Sequence, residues 1–148
     1  MDTPRIDKPR PVADHLTAPY WEGCRQHQLR LQRCTACGTH RFPPGPVCTS
    51  CRSPDARWVA SSGRGTVYSW IVVRHPIPAE IYAQDVPYVV ALVELDEGVR
   101  VPTNIVDCPV DEVVAGMAVE VVFRDAGDDL WLPVFRPIAA RSPAAART

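Results

Sequence analysis

Four of the six cysteines stand in two Cys-x-x-Cys pairs, Cys34 with Cys37 and Cys48 with Cys51, inside the stretch CTACGTHRFPPGPVCTSC. Each pair can form a tight turn with both sulfurs facing one point, and the loop between them is long enough to fold the second turn onto the first. Four thiolates gathered in this way make a closed tetrahedral shell, which suits one structural Zn²⁺ per chain. A closed shell leaves no position for water or substrate, so the metal is expected to hold structure and not to catalyse. Gly38 directly follows the first pair, where freedom at positive φ lets the chain turn and aim backbone N–H groups at sulfur. Arg52 occupies the equivalent place after the second pair and suits that turn less well.

The other reactive groups are poorly arranged for catalysis. Cys24 and Cys108 lack a partner at ligand spacing, which fits small buried side chains better than nucleophiles, and no histidine stands beside Cys108 to activate it. His15, His27, His40 and His75 are scattered, and none sits in a frame that sets a base next to a nucleophile or a second metal ligand. The acids of ELDEG and DAGDD fall at turn positions. Gly63 to Gly65, GRG, is too short for a phosphate-binding loop and precedes a strand instead of a helix, so it reads as a joint with Arg64 open to an anion. No catalytic residue is expected in this chain on its own.

The chain around these residues is 148 long and 46% hydrophobic, enough for one domain with a small satellite. A net charge of -1 leaves no cationic excess to neutralise a run of phosphates, which argues against nucleic acid. The N-terminal stretch MDTPRIDKPRPVADH has prolines and mixed charges in place of an apolar signal core, and no apolar run approaches membrane-spanning length. A cytoplasmic protein without a membrane partner is the expectation. In that reducing compartment paired cysteines are metal ligands sooner than cross-links.

The elements that must position the cysteines follow from periodicity. Residues 1–13 and 139–148 read as flexible tails. Residues 14–30 make an N-terminal helical segment, with Leu16, Tyr20 and Cys24 at fourfold spacing and an interruption near Pro19. LRLQRC alternates as a strand leading into the first pair, and 31–58 form the ribbon. After the joint SSGRG, residues 62–138 carry five expected strands, at 66–75, 87–96, 99–106, 117–125 and 129–138. Glu97-Gly98 turns the second strand into the third as a hairpin, Pro102 pushes the third toward an edge or a bulge, and PVDEVVAG is a helical turn or a loop closed by Gly116. Short antiparallel strands with the long link between the third and fourth match an OB-fold barrel; a five-stranded half-sandwich has the same count.

In this order, PYWEG, LRLQRCTACGTHRFPPGPVCTSC, SSGRGTVYSWIVV, PYVVALVELDEGVRVPTNIV, GMAVEVVF and LPVFRP resemble a known family. These are standalone zinc-ribbon plus OB-fold proteins that accompany thiolases, acyl-CoA-dependent acyltransferases and steroid side-chain aldolases. The resemblance runs from about Leu16 to Pro137. It implies a mainly β fold: a short N-terminal helical segment, a rubredoxin-like zinc ribbon and a five-stranded OB-fold barrel. It carries the zinc ligands over to Cys34, Cys37, Cys48 and Cys51. The implied role is a non-catalytic accessory or scaffold subunit in a hetero-oligomer, bound to a thiolase-like acyltransferase or aldolase and helping to bind or channel acyl-CoA. Arg52 and the long link HPIPAEIYAQDVP depart from the family pattern, and the link is of a kind that varies with the partner.

Coenzyme A presents phosphates that need cations and an adenine that needs a flat apolar surface. Arg41 and Phe42 in the loop THRFPPGP, with Arg64 in GRGTVYSW, are the candidate contacts for CoA or the partner. Phe42 and its prolines serve equally well as packing between ribbon and barrel. Tyr20 and Trp21 are expected to dock on another subunit, because a short helix has little of its own domain to cover. The alternative function, a nucleic-acid-binding ribbon and OB-fold module, needs aromatics and cations along the second and third strands. There Tyr88 is the only aromatic, beside one arginine, no lysine and several acids. Acyl transfer by the barrel itself through Cys108 or a histidine is a third reading.

Overall fold

A computed structural model describes residues 7–139. The chain begins with a short helix, α1 (Ala18–Arg25), followed by three ribbon strands, β1 (Arg30–Cys34), β2 (His40–Arg41) and β3 (Ala56–Ala60). Pro19 opens α1 and does not interrupt it, since the first turn of a helix has no partner for that N–H in any case. The Asp14 carboxylate accepts the backbone N–H groups of Leu16 and Thr17 at 3.0 and 2.8 Å, and so starts the helix. The ribbon sheet has the order β2-β1-β3. Its third strand, β3, pairs antiparallel with β1 along its length, Leu31 facing Val59.

The remainder is a closed five-stranded barrel of β4 (Arg64–Val73), β5 (Tyr88–Leu95), β6 (Arg100–Ile105), β7 (Ala118–Asp125) and β8 (Trp131–Pro137), in the order β4-β5-β6-β8-β7. It is an OB-fold, with the five expected strands in the expected order. The link from β6 to β7 carries a 3₁₀ turn, Val110–Glu112, and closes on Gly116 at φ +78°. The link from β4 to β5 holds a one-turn helix, α2 (Ala79–Tyr82), that periodicity did not reveal. Strand β6 meets β8 at the parallel pair Ile105 and Phe135, and the Thr103 hydroxyl donates to Pro133 O at 3.2 Å. Pro102 therefore lies beside Leu92 of β5 in the part of β6 whose other side is unpaired, which is where a residue without an N–H can stand. Gly65 is set by close approach: a Cβ there would run into the Glu94 carbonyl of the neighbouring strand.

Alternation decides the core. On β5, Val89, Ala91, Val93 and Leu95 point inward, and Val67, Val101, Ile105, Val119 and Phe135 meet them. Leu29 and Leu31, at the start of the ribbon, belong to the same buried cluster, so ribbon and barrel share one apolar contact zone. A second tie joins α1 to the β7–β8 hairpin: Arg25 bonds Asp129 at 3.0 Å, and the His27 ring stacks on Phe123 with centroids 5.4 Å apart.

Residues 7–13, expected to be loose, are strapped to the barrel. Arg10 donates to the carbonyls of Ala126 and Gly127 at 2.8 and 2.6 Å, and Lys8 pairs with Asp85 at 2.7 Å. Of the expected C-terminal tail, only its first residue, Ala139, falls within the described residues. Among the described residues no helix is long and apolar enough to cross a membrane.

Candidate metal centre

The four paired cysteines converge. Their sulfurs all lie within 4.8 Å of one another, with 3.6 Å between Cys34 and Cys51 and between Cys37 and Cys48. A tetrahedron of sulfurs at the usual zinc distance has edges of about 3.8 Å. The donor set, all thiol, and its spacing therefore fit one structural zinc. Among the described residues this is the one group of three or more Cys, His, Asp or Glu side chains so gathered.

The two turns that carry the sulfurs are built alike. In the first, Gly38 N–H donates to Cys34 O at 2.9 Å and Cys34 N–H to Thr39 O at 2.9 Å. In the second, Arg52 N–H donates to Cys48 O at 3.0 Å and Cys48 N–H to Ser53 O at 2.9 Å. Gly38 takes φ +79° and Arg52 takes φ +64°. Arg52 thus adopts the glycine conformation, and the second turn keeps its shape despite the strained residue type.

Electrostatics within the shell call for a cation. Backbone N–H groups of Cys51 and Ser50 hold the Cys48 thiol down to about 6, and the Thr39 hydroxyl holds Cys37 below the ordinary thiol range. At Cys51 the Ser53 backbone N–H pulls downward, but the neighbouring sulfurs of Cys34 and Cys37 outweigh it and push the thiol up to about 12. Four sulfurs this close cannot all be ionised unless a positive charge stands among them.

The other residues singled out in the sequence are dispersed. Arg41 is not on the open surface: it is 6% exposed, its Nε donates to Gln32 Oε1 at 2.7 Å and its Nη2 to Gly45 O at 3.0 Å. Gln32 Oε1 also accepts Gly45 N–H at 2.9 Å, so this buried pair ties the proline loop to β1. Phe42 is half-buried against Tyr20, ring centroids 5.7 Å apart, and packs on the core. Arg64 stands apart from both, on the first barrel strand, exposed, with no side-chain partner among the described residues.

Tyr20, expected to face another subunit, turns into its own chain between Trp21 and Phe42, where burial pushes its hydroxyl pKa up. Cys24 is fully buried and its thiol is pushed up to about 11 by that burial. Cys108 is half-buried, and burial followed by the nearby acids Glu112 and Asp107 raises its pKa. Neither thiol is activated. Gln32 was missed in the sequence, where alternation alone puts it on an open face. The missing signal is its cross-strand neighbour Arg41.

Residues 21–56 match the family model of the ChsH2 rubredoxin-like zinc ribbon domain, and residues 58–124 that of the ChsH2 C-terminal OB-fold domain. A DUF35 domain-containing scaffold protein of Methanocaldococcus jannaschii is 43% identical over 80% of this chain and 86% of its own length. This chain is a DUF35-family protein. A solved structure, an Ltp2-ChsH2(DUF35) aldolase, superposes on this DUF35 chain with a TM-score of 0.78 at 46% identity, covering 86% of it and 98% of the solved chain. A probable enoyl-CoA hydratase alpha subunit of Thermomonospora curvata is 46% identical over 90% of this chain. The DUF35 chain spans 41% of that subunit's length.

Proposed function

We propose that this protein is a non-catalytic scaffold subunit that binds an aldolase of the Ltp2 kind and helps it hold acyl-CoA, with one structural zinc on Cys34, Cys37, Cys48 and Cys51. The observation that carries the reading is the way the chain uses its reactive groups. The four thiols face one another in a closed shell, the other two are buried or held protonated, and the histidines lie apart. What is left is a rigid support of ribbon and barrel joined by a shared core. Similarity to a DUF35 scaffold protein over most of both chains, and to the DUF35 chain of an aldolase, supports the same role. A thiolase-like acyltransferase partner belongs to the same reading.

For CoA, the geometry favours Arg64 over Arg41. Arg41 bonds Gln32 and Gly45 through Nε and Nη2 and its unpartnered Nη1 is buried, whereas the Arg64 guanidinium is open to a phosphate. Phe42 offers only the part of its ring not covered by Tyr20. The test is mixing of the purified chain with purified Ltp2, with aldol cleavage and CoA binding followed by calorimetry. The chain alone is expected to show no cleavage, the mixture to form a complex, and Arg64→Ala to weaken CoA binding about tenfold. Cleavage by the chain alone, or no complex with Ltp2, contradicts the reading.

A further inference from the structure

The outward faces of the barrel differ in charge. On β7 and β8 the outward positions are mixed: Glu120 and Arg136 bond across the strands at 3.1 Å with Arg124 beyond them, while Val122, Val134 and Leu132 share that side. On β4 and β5 the positions around Ile71 and Leu92 are mostly apolar: Ile71 faces Val90, Leu92 faces the small Ser69, and Thr66 and Glu94 lie at the far end, while the alternate residues of β5 fill the core. Ile71 is 63% exposed, Tyr68 52% and Leu92 37%. Pro102 of β6 extends this face beside Leu92, and a groove continues it from Tyr88 and Val90 past Asn104 to Leu132 and Val134 of β8.

Apart from Arg64 at the start of β4, the cations at the rim are matched within the chain. Arg100 lies over the Tyr68 ring at 3.6 Å and bonds Glu94 at 2.9 Å, Arg74 bonds Asp111 at 2.8 Å, and Lys8 bonds Asp85 at 2.7 Å. Arg64, the open cation of β4, stands at the first position of the strand; around Ile71 and Leu92 a phosphate chain meets only paired cations, whereas an uncharged apolar protein surface meets little it must desolvate at a loss. A contiguous apolar face of this kind, ringed by closed ion pairs, is the pattern of a protein interface, with a dry centre and a polar rim.

We infer that the outward face of β4, β5 and β6, centred on Ile71 and Leu92, is where the partner enzyme docks, through an uncharged apolar patch of its own. The inference rests on the scaffold reading above and adds the surface to it. The probe is purified Ltp2, titrated against the full chain by sedimentation velocity, alongside the double variant Ile71→Asp, Leu92→Asp. A control, Val114→Asp, alters another exposed apolar residue, 55% exposed on the β6–β7 link. Each variant is first checked for one zinc per chain and an intact thermal transition, and Ile71→Ser replaces the double variant if that transition is lost.

The expected result is binding by the wild type and the control, and a loss of about 30-fold or more in the face variant, the size of a central interface residue. Unchanged binding by the face variant overturns this inference and leaves the scaffold reading intact. No binding by the wild type overturns both. If the wild-type chain alone sediments as a dimer and the face variant as a monomer, a second copy takes this face and the inference fails.

Discussion

In the ribbon, three short strands and two turns meet at four sulfurs, and the leucines at its start, Leu29 and Leu31, join the barrel cluster. In the barrel, five strands close around Val67, Val93, Val119 and Phe135, each at most 1% exposed. The difference follows from size. Two five-residue strands and the two-residue β2 enclose too little apolar surface to offset the entropy of ordering them, so the ribbon requires a cross-link. The barrel, with strands of six to ten residues, has enough inward positions to hold itself. The same contrast separates the roles proposed for the two regions. The region tied by metal uses its polar groups internally, whereas the barrel has outward positions to spare for a partner.

The sharpest test of this comparison is removal of the metal. A strong chelator, or Cys34→Ala with Cys48→Ala, is expected to abolish ribbon order outright while the barrel interior keeps its amide protection, because zinc binding supplies about 10 kcal/mol or more to such a unit. Hydrogen exchange resolved by residue reads both regions at once; a ribbon that stays protected without metal would break the comparison. Next in size is Phe135→Ala, which opens a cavity in the barrel and is expected to cost about 3–5 kcal/mol in urea unfolding, with the zinc content of the folded chain unchanged.

A smaller effect sharpens the account of the ribbon's interior. Gln32→Leu removes the acceptor of the buried Arg41 Nε and is expected to cost about 2 kcal/mol, whereas a variant that also carries Arg41→Leu recovers part of that loss. Equal stability of the single and double variants would show the two residues to be independent. The smallest effect belongs to Arg52→Gly, which relieves a left-handed residue at the cost of a more flexible unfolded chain. It is expected to raise stability by about 0.5 kcal/mol, seen as a small upward shift of the thermal midpoint.

Much of the fold was legible because its signals are local. Two Cys-x-x-Cys pairs fix the metal centre by spacing alone, and alternation along PYVVALVELD marks β5 residue by residue. Strand β3 and helix α2 were not read. ARWVA has three charged or small residues in five and acquires its strand character only by pairing with β1, and α2 is one turn long with no buried residue. Pro19 was read as a break because position within a helix cannot be told until its first turn is known. At the candidate site the four thiol positions were legible and the arginines were not. Arg41 and Arg64 look alike as letters, but one turns inward to Gln32 and the other faces out.

The sequence by itself determined the features that depend on short-range chemistry: the closed set of four thiols, the count and order of the barrel strands, and the poor arrangement of every other reactive group. Tertiary structure alone decided which polar residues are free. The tie of residues 7–13 to the barrel, the burial of Arg41, the packing of Tyr20 on Phe42, and the different make-up of the barrel's outward faces all arise from pairs far apart in the chain. Side-chain exposure is a property of what lies opposite. Register and closure of the sheet set that, and no local pattern of residues contains it.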